Sequence, residues 1–365
     1  MFHSSVLRMT LGIVAGMTVL GLLRYEPWNS RRGNVSNAVE ADGTRPGTVS
    51  LPKAANDARP ELTVGFLPVT CHLTCPVTDF ASRTTTSGTH FVSQRFTDFP
   101  TMVETMKAGR LQATFMIAPL AMKLKEQGIP VRICYLGHRD GSTVMVAKNS
   151  PVKRLSDLRG KTFAIPSKYS NQYLVVRKLM QDQGVKPEEI RFVEMPPPDM
   201  PGALASRAID AYFVGEPHAA RAELDGTGRV LYHAKDIWPQ FISCVLVVKD
   251  DLIRERPEVV RDLVRGIAES GEWAENHRND AARVASSYFK QKEDVVRYVL
   301  NQPPDRVSYR MLAPSDEELQ KIADMGLEAG ILERPVVMKE LVDRAFIPED
   351  IQPLTIDMTD AGKVP

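Results

Sequence analysis

Residues 155–184 read LSDLRGKTFAIPSKYSNQYLVVRKLMQDQG, and residues 193–223 read VEMPPPDMPGALASRAIDAYFVGEPHAARAE. Gly160 and Lys161 form a turn into a short β-rich run, 162–165, which stops at Pro166. An amphipathic helix follows over 172–183 and ends at Gly184. The alternation repeats with a strand at 190–194, a short helix from 201 to 206, a strand at 211–214 and a helix at 217–224. Strands and helices alternating at this spacing predict βαβ units and a mainly parallel sheet. Ligands of such sheets sit at the carboxyl ends of strands, where a helix N-terminus offers free N–H groups. The expected ligand-contact segment is therefore 167–172, with Ser167, Tyr169, Ser170, Asn171 and Gln172. Ser170 and Asn171 are also good N-caps, and capping alone would account for them. Glu216 ends the strand at 211–214 and is expected to face the same cleft. It would accept ligand N–H groups or form a salt bridge across the cleft mouth. His218 beside it would offset its charge.

Upstream, strands are predicted at 62–67, 91–96, 112–117 and 131–136, with helices at 100–108 and 119–127. A strand at 143–147 precedes the quoted stretch, and strands at 230–232 and 243–248 follow it. Beyond Pro257 the chain reads as helices at 258–277, 280–289, 294–301, 315–329 and 336–344. This order predicts an α/β fold of two lobes. The first spans 61–143 and 245–350, the second spans 144–244, and 351–365 is a tail. Two crossings, near 143–147 and 243–248, would make a hinge on which the lobes close around a ligand. MIAP at 116–119 ends a strand, so Ala118 is expected to meet the ligand through its backbone. GHRDGS at 137–142 lies at the lobe boundary. There His138 and Arg139 would contact an anion, or the segment is a solvated turn.

Three phrases carry a family resemblance: D-L-x-G-K-x-x-A-x-P at 157–166, P-P-P-D-M-x-x-A-L at 196–204 and D-A-x-x-x-G-E-P at 210–217. They resemble the periplasmic substrate-binding proteins of nitrate, bicarbonate, sulfonate and taurine importers, a family that includes thiamine-pyrimidine binders. MKELVDRAFIPED at 338–350 is similar to the nitrate/bicarbonate branch. The resemblance implies the two-lobed periplasmic binding protein fold of type II. It also implies a non-enzymatic role, a small polar or anionic ligand and an ABC transporter permease as partner.

The loop after the first strand departs from that family. Its relatives usually carry a small or polar loop here, whereas residues 68–79 read PVTCHLTCPVTD. Cys71 and Cys75 would form a local disulfide, since residues four apart in a helical turn have Cα atoms ~6 Å apart. Alternatively Cys71, His72 and Cys75 would bind zinc or copper with a distant fourth ligand. In a third reading Cys71, His72 and Thr74 line the ligand pocket. Cys134 and Cys244 lie in apolar β runs and read as buried, inert thiols, with a long-range disulfide between them permitted. No cofactor is expected beyond a metal ion at this loop.

The 365 residues, 43% hydrophobic and 25% charged, suit a globular chain, and a net charge of +1 gives no general attraction to nucleic acid. The uncharged run at 9–23 reads as a secretory signal or an uncleaved anchor within 1–24, and 25–60 reads as a flexible linker. An extracytoplasmic, monomeric protein is expected, with a membrane tether through 9–23 as a variant. The chain has no G-x-S-x-G, G-x-x-x-x-G-K-[ST], H-E-x-x-H or G-x-G-x-x-G motif. The alternatives are a metal- or thiol-dependent enzyme of the pyrimidine-synthesis branch and a membrane-tethered ligand sensor.

Overall fold

The computed structural model describes residues 48–49, 58–83, 85 and 87–361. The run at 9–23, most of the linker and the last four residues lie outside the described residues. No helix among the described residues is long and apolar enough to cross a membrane.

The chain first lays down β1 (Thr48–Val49), β2 (Glu61–Phe66), α1 (Thr74–Ser82), β3 (His90–Arg95), α2 (Phe99–Lys107), β4 (Ala113–Met116), α3 (Ala118–Glu126) and β5 (Val131–Asp140). A second set follows: β6 (Ser142–Ala147), β7 (Thr162–Ile165), α4 (Asn171–Asp182), β8 (Arg191–Glu194), α5 (Met200–Ala205), β9 (Ala211–Gly215), α6 (His218–Leu224), β10 (Gly228–His233) and α7 (Ala234–Ile237). The return runs through β11 (Ile242–Lys249), α8 (Asp250–Glu255), α9 (Pro257–Asn276), α10 (Arg278–Phe289), α11 (Glu293–Asn301), β12 (Val307–Ser308), α12 (Asp316–Glu328) and α13 (Met338–Leu341).

These strands form two sheets. One has the order β1-β3-β2-β4-β11-β5-β12, the other β10-β6-β9-β7-β8. Parallel pairing is confined to β3-β2-β4 and β8-β7-β9, and the remaining pairs are antiparallel. The expectation of mainly parallel sheets is thus corrected to mixed ones. β5 carries the chain out of the first lobe and β11 brings it back alongside, so the two run in opposite directions.

The second sheet is buried on both faces. Val144, Val146, Phe163 and Phe213 pack into one apolar cluster, while Met145, Ala164, Tyr212 and Val214 pack into the other. Period-2 alternation sends successive residues to opposite faces, and covering both faces requires the continuous apolar runs seen in these strands.

The crossings lie side by side. Only Gly141 separates β5 from β6. The Asp140 N–H donates to the Phe241 carbonyl at 2.7 Å, and the Phe241 N–H donates to Asp140 Oδ1 at 3.1 Å. Thr143 consequently belongs to the second sheet and Cys244 to the first, the reverse of their expected assignment. The helix expected over 336–344 shrinks to α13, because Val342 instead bridges Ile133 of β5. The tail is not free either: Leu354, Ile356 and Met358 pack against the first core.

Candidate functional site

β2 ends at Phe66, and the chain turns through a 3-10 segment, Thr70–His72, into α1. This turn sits against β5 because Gly137 has no side chain: a Cβ there would lie 2.0 Å from the Cys71 carbonyl oxygen. The turn aims Cys71 at β11, where its Sγ lies 2.8 Å from Cys244 Sγ, both thiols being free. Burial opposes ionisation of Cys71, but the contact with Cys244 and the nearby His72 and His138 outweigh it and hold its thiol well below the usual range. Burial and the adjoining Cys71 push Cys244 well above it. His72 Nδ1 accepts the Leu67 N–H at 2.7 Å. That nitrogen carries no proton, so the ring proton is on Nε2, which has no hydrogen-bond partner among the described residues.

Cys75 is not part of this group. Its sulfur faces Ser93 Oγ at 3.4 Å and the Val64 carbonyl at 3.7 Å, and burial pushes its thiol far up. This corrects both the Cys71–Cys75 disulfide and the Cys71–His72–Cys75 ligand set. The group that converges is Cys71, His72 and Cys244, with ligand atoms within 4.8 Å of one another. The apolar run around Cys244 reads by default as that of a buried, inert thiol. The available signal was the Ser243-Cys244 pair opening an otherwise aliphatic strand. Cys134, buried in β5, stands apart from the group.

Across the cleft, Ser167 Oγ accepts the Tyr169 N–H and Ser170 Oγ accepts the Tyr173 N–H, each at 3.1 Å. Both hydroxyls are thus used by their own loop, and Ser170 is an N-cap. Tyr169 is half-buried against the first core. Asn171 Nδ2 donates to the Ile242 carbonyl, tying α4 to β11. Gln172 Nε2 donates to Ser142 Oγ at 3.2 Å. Asn171 Oδ1 and Gln172 Oε1 are buried without partners among the described residues. A small cavity between the lobes is lined by Cys71, Cys244, Leu67, Val69, Phe99 and Ile117 on one side, and by Pro166, Gln172, Pro197 and Gly215 on the other. Ala118 is buried at the start of α3, and Thr74 is buried with its hydroxyl unpartnered among the described residues.

Glu216 is wholly buried and engaged. Its Oε1 accepts from Thr143 Oγ1 and Arg306 Nε, each at 2.8 Å, and its Oε2 accepts the Ala220 N–H at 2.9 Å. Arg306, not His218, supplies the positive charge, and it also reaches Glu223 at 2.9 Å. Sequence reading missed Arg306, which stands 90 residues away. His218 Nε2 meets the Pro68 carbonyl at 3.1 Å, and burial lowers its pKa to about 4. The neutral ring therefore donates Nε2–H across the lobes. His138 Nε2 pairs with Thr70 Oγ1 at 2.9 Å, its ring stands edge-on to Tyr309, and burial lowers its pKa to about 4. Arg139 forms a two-pronged pair with Glu318 at 2.6 and 3.1 Å. Neither is the exposed turn residue of the alternative reading.

The family model of the NMT1-like family matches residues 55–288. The taurine-binding periplasmic protein of Escherichia coli K12 is 26% identical over 178 residues, which are 48% of this chain and 54% of that protein. The chain spans between 28% and 60% of the length of the curated relatives it matches most strongly. Among solved structures, a ligand-binding component of an ABC-type import system from Staphylococcus aureus, with zinc bound, is 26% identical. It superposes with a TM-score of 0.73 over 80% of this chain and 99% of that one. The periplasmic nitrate-binding protein NrtA from Synechocystis PCC 6803 has a TM-score of 0.71 at 13% identity, covering 79% of this chain and 87% of its own. That likeness shows the fold: two lobes of the periplasmic binding protein type.

Proposed function

Because the chain belongs to the NMT1-like family, we propose that it is the extracytoplasmic solute-binding component of an ABC importer, capturing a small solute by lobe closure and handing it to a permease. One observation carries the reading. The cavity between the lobes is lined from both of them, and Gln172 Oε1 on its wall and the adjoining Asn171 Oδ1 are buried with no partner among the described residues. Buried polar groups are normally satisfied, so these are the groups a captured solute would complete. The relatives named above bind taurine or nitrate, or were solved with zinc. Among the described residues none that lines this cavity is cationic, so an anion here would rest on neutral donors. The role is binding without turnover, by a monomer.

The test is a panel of nitrate, bicarbonate, taurine and metal ions, read by thermal shift and small-angle scattering. A true solute at 100 times its Kd stabilises by about 2.7 kcal/mol and contracts the protein, and it is recovered unchanged. A panel that neither stabilises nor contracts the protein, or a probe that is consumed, would refute the reading.

A further inference from the structure

The cleft contains a pair of groups that recognition of an anion does not use. The two sulfurs of Cys71 and Cys244 lie 2.8 Å apart, fully buried, and a ring nitrogen of His72 lies within 4.8 Å of both. Among the described residues this is the one convergence of three His, Cys, Asp or Glu side chains. It is built rather than incidental. The sulfurs come from a 3-10 turn and a strand 173 residues apart, brought together by the close approach at Gly137. Around them are Leu67, Val69, Phe99 and Ile117.

That composition selects among cations. Among the described residues no carboxylate lines the cavity and Gln172 supplies its one side-chain oxygen, so a hard ion finds too few of the oxygen ligands it needs. Zinc takes four ligands in structural sites and three plus water in catalytic ones. Here His72 accepts the Leu67 N–H at Nδ1, which leaves Nε2 protonated: a donor, not a ligand. Two sulfurs with an N–H donor beside them, in apolar surroundings, suit a soft cation of low coordination number. We propose that Cys71 and Cys244 form a two-sulfur site in the inter-lobe cleft for Cu⁺, with His72 supporting the bound sulfurs as a hydrogen-bond donor. The assignment rests on the reading of this cleft as the capture site. At metal–sulfur bonds of ~2.3 Å, two sulfurs on opposite sides of one ion stand roughly 4.6 Å apart, so loading parts the pair by side-chain rotation. Each sulfur that carries a proton releases it to solvent as its bond to the ion forms, and no electron is transferred.

The full chain, reduced and kept anaerobic, is titrated with Cu⁺ held by a competing chelator and, separately, with buffered Zn²⁺. The expected result is one Cu⁺ per chain. Cys71→Ser and Cys244→Ser should each weaken binding at least 100-fold, Cys75→Ser and Cys134→Ser should leave it unchanged, and His72→Gln should weaken it less than tenfold. If the serine variants misfold, X-ray absorption of Cu⁺-loaded wild type decides: two sulfur ligands are expected, and a nitrogen ligand overturns the assignment. Wild type that takes no Cu⁺ overturns it, as does Zn²⁺ binding that His72→Gln abolishes as fully as Cys71→Ser. Failure of Cu⁺ to bind while taurine or nitrate contracts the lobes defeats this assignment alone. A 1:1 Cu⁺ complex in a protein that no probe contracts defeats the solute-capture reading and leaves the metal site standing.

Discussion

His218 joins the lobes through one bond, from its Nε2–H to the Pro68 carbonyl. Its pKa falls from 6.5 to about 4 because burial disfavours the charged ring, and His138 behaves alike. A histidine whose folded pKa is depressed stabilises the fold above its unfolded pKa and loses that contribution as pH falls. Melting temperature should therefore drop between pH 6.5 and 4, and His218→Gln should make that slope shallower, a comparison that differential scanning fluorimetry across pH supplies. An equal slope in the variant would remove His218 from the explanation. The Glu216–Arg306 pair yields a second expectation. Burial alone would lower the Arg306 pKa, but Glu216 and Glu223 outweigh it and raise the pKa instead. Removing one partner of such a pair strands a buried charge and costs about 3–5 kcal/mol. Denaturant melts should show that loss in Arg306→Met and in Glu216→Gln, and less than the sum of the two in the double variant.

At the scale of elements, Ser170 does the plain work of a cap on α4. Ser170→Ala should cost about 1 kcal/mol in denaturant unfolding while solute affinity stays within twofold; a large affinity loss would make it a contact residue. Regular βα elements such as β7 and α4 were legible because Gly160, Pro166, Ser170 and Gly184 punctuate an amphipathic pattern. α1 was not: Thr74, Thr78, Asp79 and Ser82 do share one helical face, but the run is short, carries Pro76 and follows a loop-like stretch, and all nine of its residues are buried. β5 runs four residues beyond its predicted end because GHRD has the composition of a turn, whereas Gly137 is there for close approach to Cys71. The lobe-closing chemistry was only half legible. Asn171, Gln172 and Glu216 could be placed at strand ends or helix starts, but their partners Ile242, Ser142 and Arg306 are set by tertiary packing that no local pattern records.

For the whole molecule, the question is whether the two lobes move on the paired crossings at 140–142 and 241–242. Bonds between the lobes include the Thr70 N–H to the Glu216 carbonyl at 2.6 Å, His218 to Pro68, Arg306 to Glu216 and Glu223, Lys235 to Asp305, and, at the second crossing itself, Asn171 Nδ2 to the Ile242 carbonyl. Each lobe has an apolar core, and Leu174 and Ala220 of the second lobe also join the first one, so breaking such a tie shifts the open–closed balance without unfolding either lobe. One lost hydrogen bond is worth about 1 kcal/mol, roughly a fivefold shift in an open–closed equilibrium. Asn171→Ala leaves the Ser170 cap and the Gln172–Ser142 bond in place. It should increase the radius of gyration of the free protein in small-angle scattering. It should also lower solute affinity up to fivefold, because the solute must then supply the closing energy that the tie provided. Unfolding of the second lobe should be nearly unchanged. If Asn171→Ala instead lowers stability and leaves the radius of gyration at its wild-type value, the bond to Ile242 belongs to a rigid interface, and capture would have to proceed without opening at these crossings.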